Sequence, residues 1–410
     1  MTEPLQSSPD LTHDNVPQEP WGRLFLRFLR FGALAWGGPV AQIGMIRHEL
    51  VEQERWITNE RFNRVLAVYQ VLPGPEAHEL CVYFGYRARG RLGGLLAGLG
   101  FMLPGFVLMF ALSWLYVRHG LQLQGMADVF VAVQAVVAAL IVRAVIRIGG
   151  HVMTDRWLVA AAVLAMVAQL AGVHFGFVLL GAGALYVLAR SRWRAGAWAL
   201  ALLAAIGIAA MVVRTGALVG FEALASTAGD LGKQLQAVSV PMLFWSGLKA
   251  GLLTFGGAYT VIPFLQRDAV VQGAWMSNAQ FLDGLALSGL LPAPLVIFAT
   301  LVGYLGGGPW GAVAMTAGVF LPAFAFTLLG HETLEGLLHR PQVHRFLEGV
   351  TAGVVGLIAG TTLALMRASL TSMEAWVLFA IALGVLFTTK VRLAIPGLIL
   401  VAGLWGWWSP

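Results

Sequence analysis

The sequence predicts an all-α integral membrane protein made of two homologous repeats in inverted topology, with interrupted helices, arranged as about six segments, a connector and six more. Three observations predict it: a composition too apolar for one water-soluble core, a self-similarity at a fixed offset, and glycine and proline breaks at matched places inside apolar runs. Of 410 residues, 58% are hydrophobic and 11% charged, and mean hydropathy is +0.78. The lipid bilayer is therefore the partner this chain needs. The single cysteine, Cys81, excludes an internal disulfide, and no Cys/His pair has zinc spacing, so neither metal nor cofactor is expected. A pI near 9.8 would point to nucleic acid in a soluble protein. Here the basic residues gather at segment ends, where membrane topology places them, and no nucleic-acid partner is expected.

The duplication is read directly. An offset of 219 positions pairs Arg30 with Lys249, Gly32 with Gly251, Gly37 and Gly38 with Gly256 and Gly257, and Trp56 with Trp275. The same offset pairs Asn59 with Asn278, Phe62 with Phe281, and Pro73 and Pro75 with Pro292 and Pro294. After a one-residue slip Gly100 meets Gly318 and Pro104 meets Pro322.

In chain order, residues 1–20 are a polar, disordered tail without the apolar core of a signal peptide. Residues 21–192 form the first repeat, with segments at 24–46, 62–86, 93–117, 127–148, 157–171 and 174–189. Residues 193–240 are a connector helix and linker, apolar from Ala195 to Val213. Residues 241–410 form the second repeat, with segments at 243–265, 281–304, 311–330, 346–366, 375–389 and 392–408. The fifth and sixth of each half fall short of the roughly 20 residues that cross ~30 Å of hydrocarbon, so they are short or tilted spans. Trp56-Ile57-Thr58-Asn59 and Trp275-Met276-Ser277-Asn278 read as helix starts, with Ser277 and Gln280 at capping-box spacing, and the tryptophans read as interface markers.

Six crossings and a connector make an odd number, which sends the second half into the membrane upside down. With a cytoplasmic N-terminus, one side collects Arg87, Arg89, Arg91, Arg143, Arg147, Arg156, Arg190, Arg192, Arg194, Arg267, Arg340, Arg345, Lys390 and Arg392. The other holds Arg118, Arg214, Lys233 and Arg367, together with the ill-fitting group Arg47, Arg55, Arg61 and Arg64. Thirteen crossings follow, in a plasma (inner) membrane protein with its N-terminus cytoplasmic and its C-terminus outside.

Gly37-Gly38-Pro39 ends one half-helix and starts another, leaving backbone N–H groups free for an anion, and Gly256-Gly257 repeats the break without the proline. Close helix packing is the competing use of these glycines. Arg30 and Lys249 lie seven residues before each glycine pair inside apolar runs, where a charge costs at least about 2.5 kcal/mol. They either snorkel to an interface or, with Gly37, Gly38, Thr254, Gly256 and Gly257, bind a doubly negative substrate. Pro73-Gly74-Pro75 and Pro292-Ala293-Pro294 are helix breaks that serve gating. Glu76, His78 and Glu79 follow only the first of these, as a proton-coupling group or as a cap at a wet interface.

These residues resemble a known family. Phe31-Gly32 through Gly37-Gly38-Pro39, His48-Glu49-Leu50-Val51, Arg55-Trp56-Ile57, Glu60-Arg61-Phe62 and Leu72-Pro73-Gly74-Pro75-Glu76-Ala77 are similar to the first domain of the chromate ion transporters. Thr254-Phe255-Gly256-Gly257-Ala258-Tyr259, Trp275 and Pro292-x-Pro294 are similar to the second. The resemblance runs from about Trp21 to Trp408 and fits the long-chain, two-domain members. It implies a secondary transporter that exports chromate from the cytoplasm and confers chromate resistance, with sulfate-like dianions as mimics and a homodimer as the candidate assembly. This chain has Leu290-Leu291 where the family's second domain often carries two threonines before its prolines, which bears on selectivity. A passive oxyanion channel is the alternative reading. An intramembrane enzyme built on Glu76, His78 and Glu79 is disfavoured, since no nucleotide, flavin or haem motif and no P-loop occurs.

Overall fold

The computed structural model describes residues 16–119, 126–191, 194–215, 238–255, 257–338, 340–389, 391 and 393–408. Gly256, most of the N-terminal tail, the connector beyond residue 215, Arg192, Lys233, Lys390 and Arg392 lie outside the described residues. The described chain is helical throughout, its one strand-like contact being an isolated bridge between Pro73 and Phe255.

The helices come in two matching series. The first half holds α1 (Trp21–Ala33), α2 (Gly38–Ile46), α3 (Asn59–Val71), α4 (Glu76–His119), α5 (Met126–Val152), α6 (Arg156–Leu170) and α7 (Phe175–Ala189). The connector contributes α8 (Arg194–Thr215), close to its expected extent. The second half holds α9 (Val240–Leu252), α10 (Ile262–Gln266), α11 (Asn278–Gly289), α12 (Ala299–Leu338), α13 (Pro341–Ser369), α14 (Met373–Thr388) and α15 (Ala394–Trp408). Among the described residues five helical stretches are long and apolar enough to cross a membrane. The four short apolar helices α6, α7, α14 and α15 have 15 or 16 residues. At 1.5 Å per residue each rises only about 23 Å, less than the ~30 Å of hydrocarbon in a bilayer.

The repetition extends to backbone detail. α2 runs into a wide π-helical turn at Arg47–Gln53, and α10 does the same at Arg267–Gln272. After each turn a non-glycine residue takes a positive φ, Arg55 at 54° and Ala274 at 49°, just before the matched tryptophan. α4 and α12 are each two arms joined by a sharp reversal, at Arg89-Gly90 and at Gly307-Gly308. Gly90 and Gly308 both have φ 61°, which only glycine adopts without strain. The arms fold back so closely that a Cβ on Gly93 would lie 2.3 Å from the Gly85 carbonyl oxygen, and one on Gly311 2.2 Å from that of Gly303. The break expected between the second and third segments of each half is this hairpin.

Thr58 caps α3 by accepting from the Arg61 amide, and Ser277 caps α11 in a complete capping box with Gln280. The tryptophans beside these caps are not at an interface. Trp56 and Trp275 are among the most buried side chains of the protein, Trp56 edge-on to Phe84 and Trp275 donating from Nε1 to the Val302 carbonyl. The positive-φ residue before each turns the ring into the core, and the interface assignment is corrected accordingly.

The two halves are interlaced rather than set side by side. α1 packs on α4 and α9 on α12, and α4 meets α12 across the middle. α6 and α7 of the first half pack on α13 of the second, while α14 and α15 of the second pack on α5 of the first. Asp283 on α11 is buried and accepts from Tyr116 on α4 (2.7 Å) and Gln134 on α5 (2.8 Å), a polar tie between the halves.

Candidate functional site

The interrupted segments are where the site is built. α1 ends at Ala33 and α2 starts at Gly38 with Pro39 in its first turn, and Gly37 caps it in the left-handed conformation at φ 92°. In the second copy α9 ends at Leu252, and Gly257, at φ 118°, precedes a short 3-10 turn, Ala258–Val261, that leads into α10. The break is therefore present in both halves, but only the first copy presents a regular helix N-terminus.

The breaks of opposite halves touch. The Gly74 amide, between Pro73 and Pro75, donates to the Thr254 carbonyl at 2.8 Å, and Pro73 forms the bridge with Phe255. On the other side, Gly37 and Gly38 share a narrow cleft with Leu291 and Ala293, the residues flanking Pro292 and Pro294. Thr254 is fully buried and its hydroxyl donates to Ala250 of its own helix, so it offers its carbonyl to Gly74 and no free hydroxyl.

A cavity of about 330 Å³ opens where these breaks converge. Pro39 and Val40 of α2, Gln70 of α3, Glu76 of α4, Gly257 and Tyr259 of the second break, Thr351 of α13, and Arg147 and His151 of α5 are among its lining. The volume lies in the range of small-molecule sites and exceeds what a tetrahedral oxyanion fills. Among the described residues neither Arg147 nor Glu76 takes part in an ion pair.

The two cations singled out from the sequence stand elsewhere. Arg30 is half exposed and pairs with Glu49, which Arg27 also contacts at 3.3 Å. Lys249 pairs with Asp268 at 2.7 Å, and the Ser246 hydroxyl donates to the same carboxylate oxygen at 2.6 Å. The 219-residue offset that matches Arg30 to Lys249 also matches Glu49 to Asp268 and Arg27 to Ser246. The ion pair is thus itself duplicated, each cation holding the π-helical turn of its own half against the helix before the break. Neither cation lines the 330 Å³ cavity. A parallel contact ties the turns to the next helices: Arg47 donates to Asn59 at 3.0 Å and, at the matching positions, Gln266 donates to Asn278 at 2.8 Å.

The acidic and imidazole group splits. Glu76 faces the cavity, whereas His78 and Glu79 are fully buried between the halves. His78 packs edge-on against Phe320 and Phe324 of α12, and Glu79 lies beneath Gly74. Among the described residues the Glu79 carboxylate has no hydrogen-bond partner, and the His78 ring has only the Gly98 backbone as a polar neighbour. A wet-interface cap is therefore not their role. Arg147 was legible only as one of the basic residues that set topology, and nothing in its spacing marked it for the cavity.

A helical membrane protein whose two matching halves bring broken helices around one cavity that carries Arg147, His151 and Glu76 in its wall belongs to the class of membrane transport proteins. The chromate transporter family model matches residues 22–227 and again 241–407. The chain belongs to the chromate transporter family. It is 53% identical over 408 residues to the chromate transport protein of Pseudomonas aeruginosa, covering 97% of this chain and 95% of that one. A chromate transport protein of Cupriavidus metallidurans is 32% identical over 94% of this chain and 92% of its own length. A probable chromate transport protein of Synechococcus elongatus is 30% identical over 99% of this chain and all of its own. No solved structure matches.

Proposed function

We propose that this protein carries chromate out of the cytoplasm as a secondary transporter and so confers chromate resistance, with the cavity at the converging breaks as the cargo site. The observation that carries this reading is Arg147, in no ion pair among the described residues, lining one cavity together with the α2 start at Pro39 and the break at Gly257. A guanidinium fork and helix-terminal amides are the two groups that hold a tetrahedral dianion best. Gly37, Gly38 and Gly257, assigned to substrate binding from the sequence, act here by shaping the breaks, and Pro73, Gly74, Pro75, Pro292 and Pro294 form the crossed segments that gate it. Arg30, Lys249 and Thr254 serve by holding those segments in place.

Outward movement is favoured by the membrane potential. At about 2.3 kcal/mol per charge per 100 mV, a dianion leaving a negative interior gains roughly twice that. Halves of opposite orientation, with the N-terminus cytoplasmic and the C-terminus outside, fit the basic residues of the loops, and sulfate, of the same shape and charge, is the expected competitor. The test is chromate counterflow in vesicles. Chromate on the far side should accelerate efflux of labelled chromate through the wild type, and Arg147→Gln should cut the rate at least tenfold. Absence of counterflow with retained flux would make the protein a channel, and a wild-type rate in Arg147→Gln would remove the cargo site from this cavity.

A further inference from the structure

The cargo cavity contains a carboxylate as well as a cation, and an anion site with a carboxylate in its wall needs an account. We propose that Glu76 carries a proton whenever the oxyanion occupies the cavity, so that dianion and proton bind cooperatively. The inference rests on the cargo-site reading above and adds the coupling partner.

The argument is one of charge. With Glu76 ionised, its charge offsets that of Arg147, and a dianion entering the cavity meets a like charge in its wall. With Glu76 protonated, the same wall keeps the guanidinium and gains an O–H donor directed to an acceptor-only ligand. The matched carboxylates of the two π-helical turns are already committed. Glu49 is held by Arg27 and Arg30, and Asp268 by Lys249 and Ser246. Glu76 has no such partner among the described residues, so its charge is free to change with the cargo.

The surroundings of Glu76 name the competing titrations. α3 contributes Gln70, α5 contributes Arg147 and His151 with Arg143 one turn back, the second break contributes Tyr259, and α13 contributes Thr351. On its own helix, His78 and Glu79 lie in the protein interior rather than on the cavity wall. His151, the imidazole of this lining, is bonded through Nδ1 to the Arg147 carbonyl at 2.9 Å. The proton comes from water on binding and returns to water on release, and by linkage chromate tightens the proton on Glu76 by the factor by which the proton tightens chromate.

Chromate affinity of the detergent-purified full chain, measured by calorimetry from pH 6 to pH 9, tests this. Chromate takes up a proton of its own in this range, equally for every variant, so the comparison between variants isolates the protein's share. The wild type should lose up to about tenfold more affinity per pH unit than Glu76→Gln, whose binding should follow chromate's own titration alone. A full wild-type slope in Glu76→Gln, or a slope that survives in Glu76→Gln and disappears in His151→Gln, overturns the proposal while the cavity stands. Unchanged binding in Arg147→Gln overturns both readings. Should Glu76→Gln not fold, chromate added to lightly buffered wild type, with Arg147→Gln as blank, must show net proton uptake, and none would refute the proposal.

Discussion

Replacing Lys249 with Met separates an architectural cation from a cargo ligand. Its ammonium lies 2.7 Å from Asp268, whose carboxylate also accepts from Ser246, and the two side chains are 32% and 11% exposed. A fully exposed pair is worth about 0.2–1 kcal/mol, and stripping one partner from a fully buried pair costs about 3–5 kcal/mol. The partial exposure of the lysine and the near burial of the aspartate put Lys249→Met between these, at about 2 kcal/mol. Asp268→Asn, which leaves the more exposed partner alone, should cost about 1 kcal/mol, and the double variant should lose less than Lys249→Met alone, which needs a coupling of more than about 1 kcal/mol. Arg30→Met should cost under about 1 kcal/mol, because that arginine is 55% exposed and Arg27 remains on Glu49. Cys81, the only cysteine and fully buried, supplies the assay, since a thiol-reactive fluorogenic dye labels it only as the purified protein unfolds. The single Lys249 variant should unfold a few degrees below wild type, with the loss partly restored by Asp268→Asn. Wild-type melting in Lys249→Met together with abolished chromate binding would refute the reasoning and return the lysine to the cargo.

Two further outcomes follow from packing and from charge. Gly93→Ala and Gly311→Ala each drive a methyl to within 2.3 Å of a backbone oxygen at the hairpin crossings, and both should lower stability in the same thermal assay by about 1–3 kcal/mol, whereas Gly150→Ala, with open space at its Cβ, should not. Asp155, in the turn before α6, caps that helix and binds Tyr186 and Arg190. Burial alone would raise its pKa, but the Tyr186 hydroxyl, the amides of Leu158 and Trp157 and the Arg190 charge outweigh this and hold it below the ordinary carboxylate value. A depressed carboxylate contributes stability that is present above its unfolded pKa and lost as pH falls through the folded one. Asp155→Asn keeps a capping oxygen and loses the charge, so it should be less stable than wild type at pH 7, and the gap should close in acid below the usual carboxylate range.

Much of this architecture was legible because duplication writes each feature twice. The helix breaks at Gly37-Gly38 and Gly257, the proline-flanked segments, the Ser277 capping box and the hairpin reversals all fall where composition and offset placed them. The partners of Arg30 and Lys249 were also in the sequence, since Glu49 and Asp268 obey the same offset. Reading the cations without the matching acids left them apparently bare. Trp56 and Trp275 were misjudged because the frequency of tryptophan at membrane surfaces says nothing of the positive φ at Arg55 and Ala274 that turns the rings inward. Arg147 and Glu76 could not be paired from sequence, because what joins them is a cavity assembled by six separate parts of the chain, and pattern within one helix carries no record of it.

The exchange of helices between the halves has a mechanical consequence. Because α13 is gripped by α6 and α7, and α5 by α14 and α15, a cut drawn at the sequence repeat would pass through the interior of two helical bundles. The bodies that can pivot during a transport cycle are therefore mosaics, each drawing on the beginning and the end of the polypeptide, and the piece that was copied is not the piece that swings.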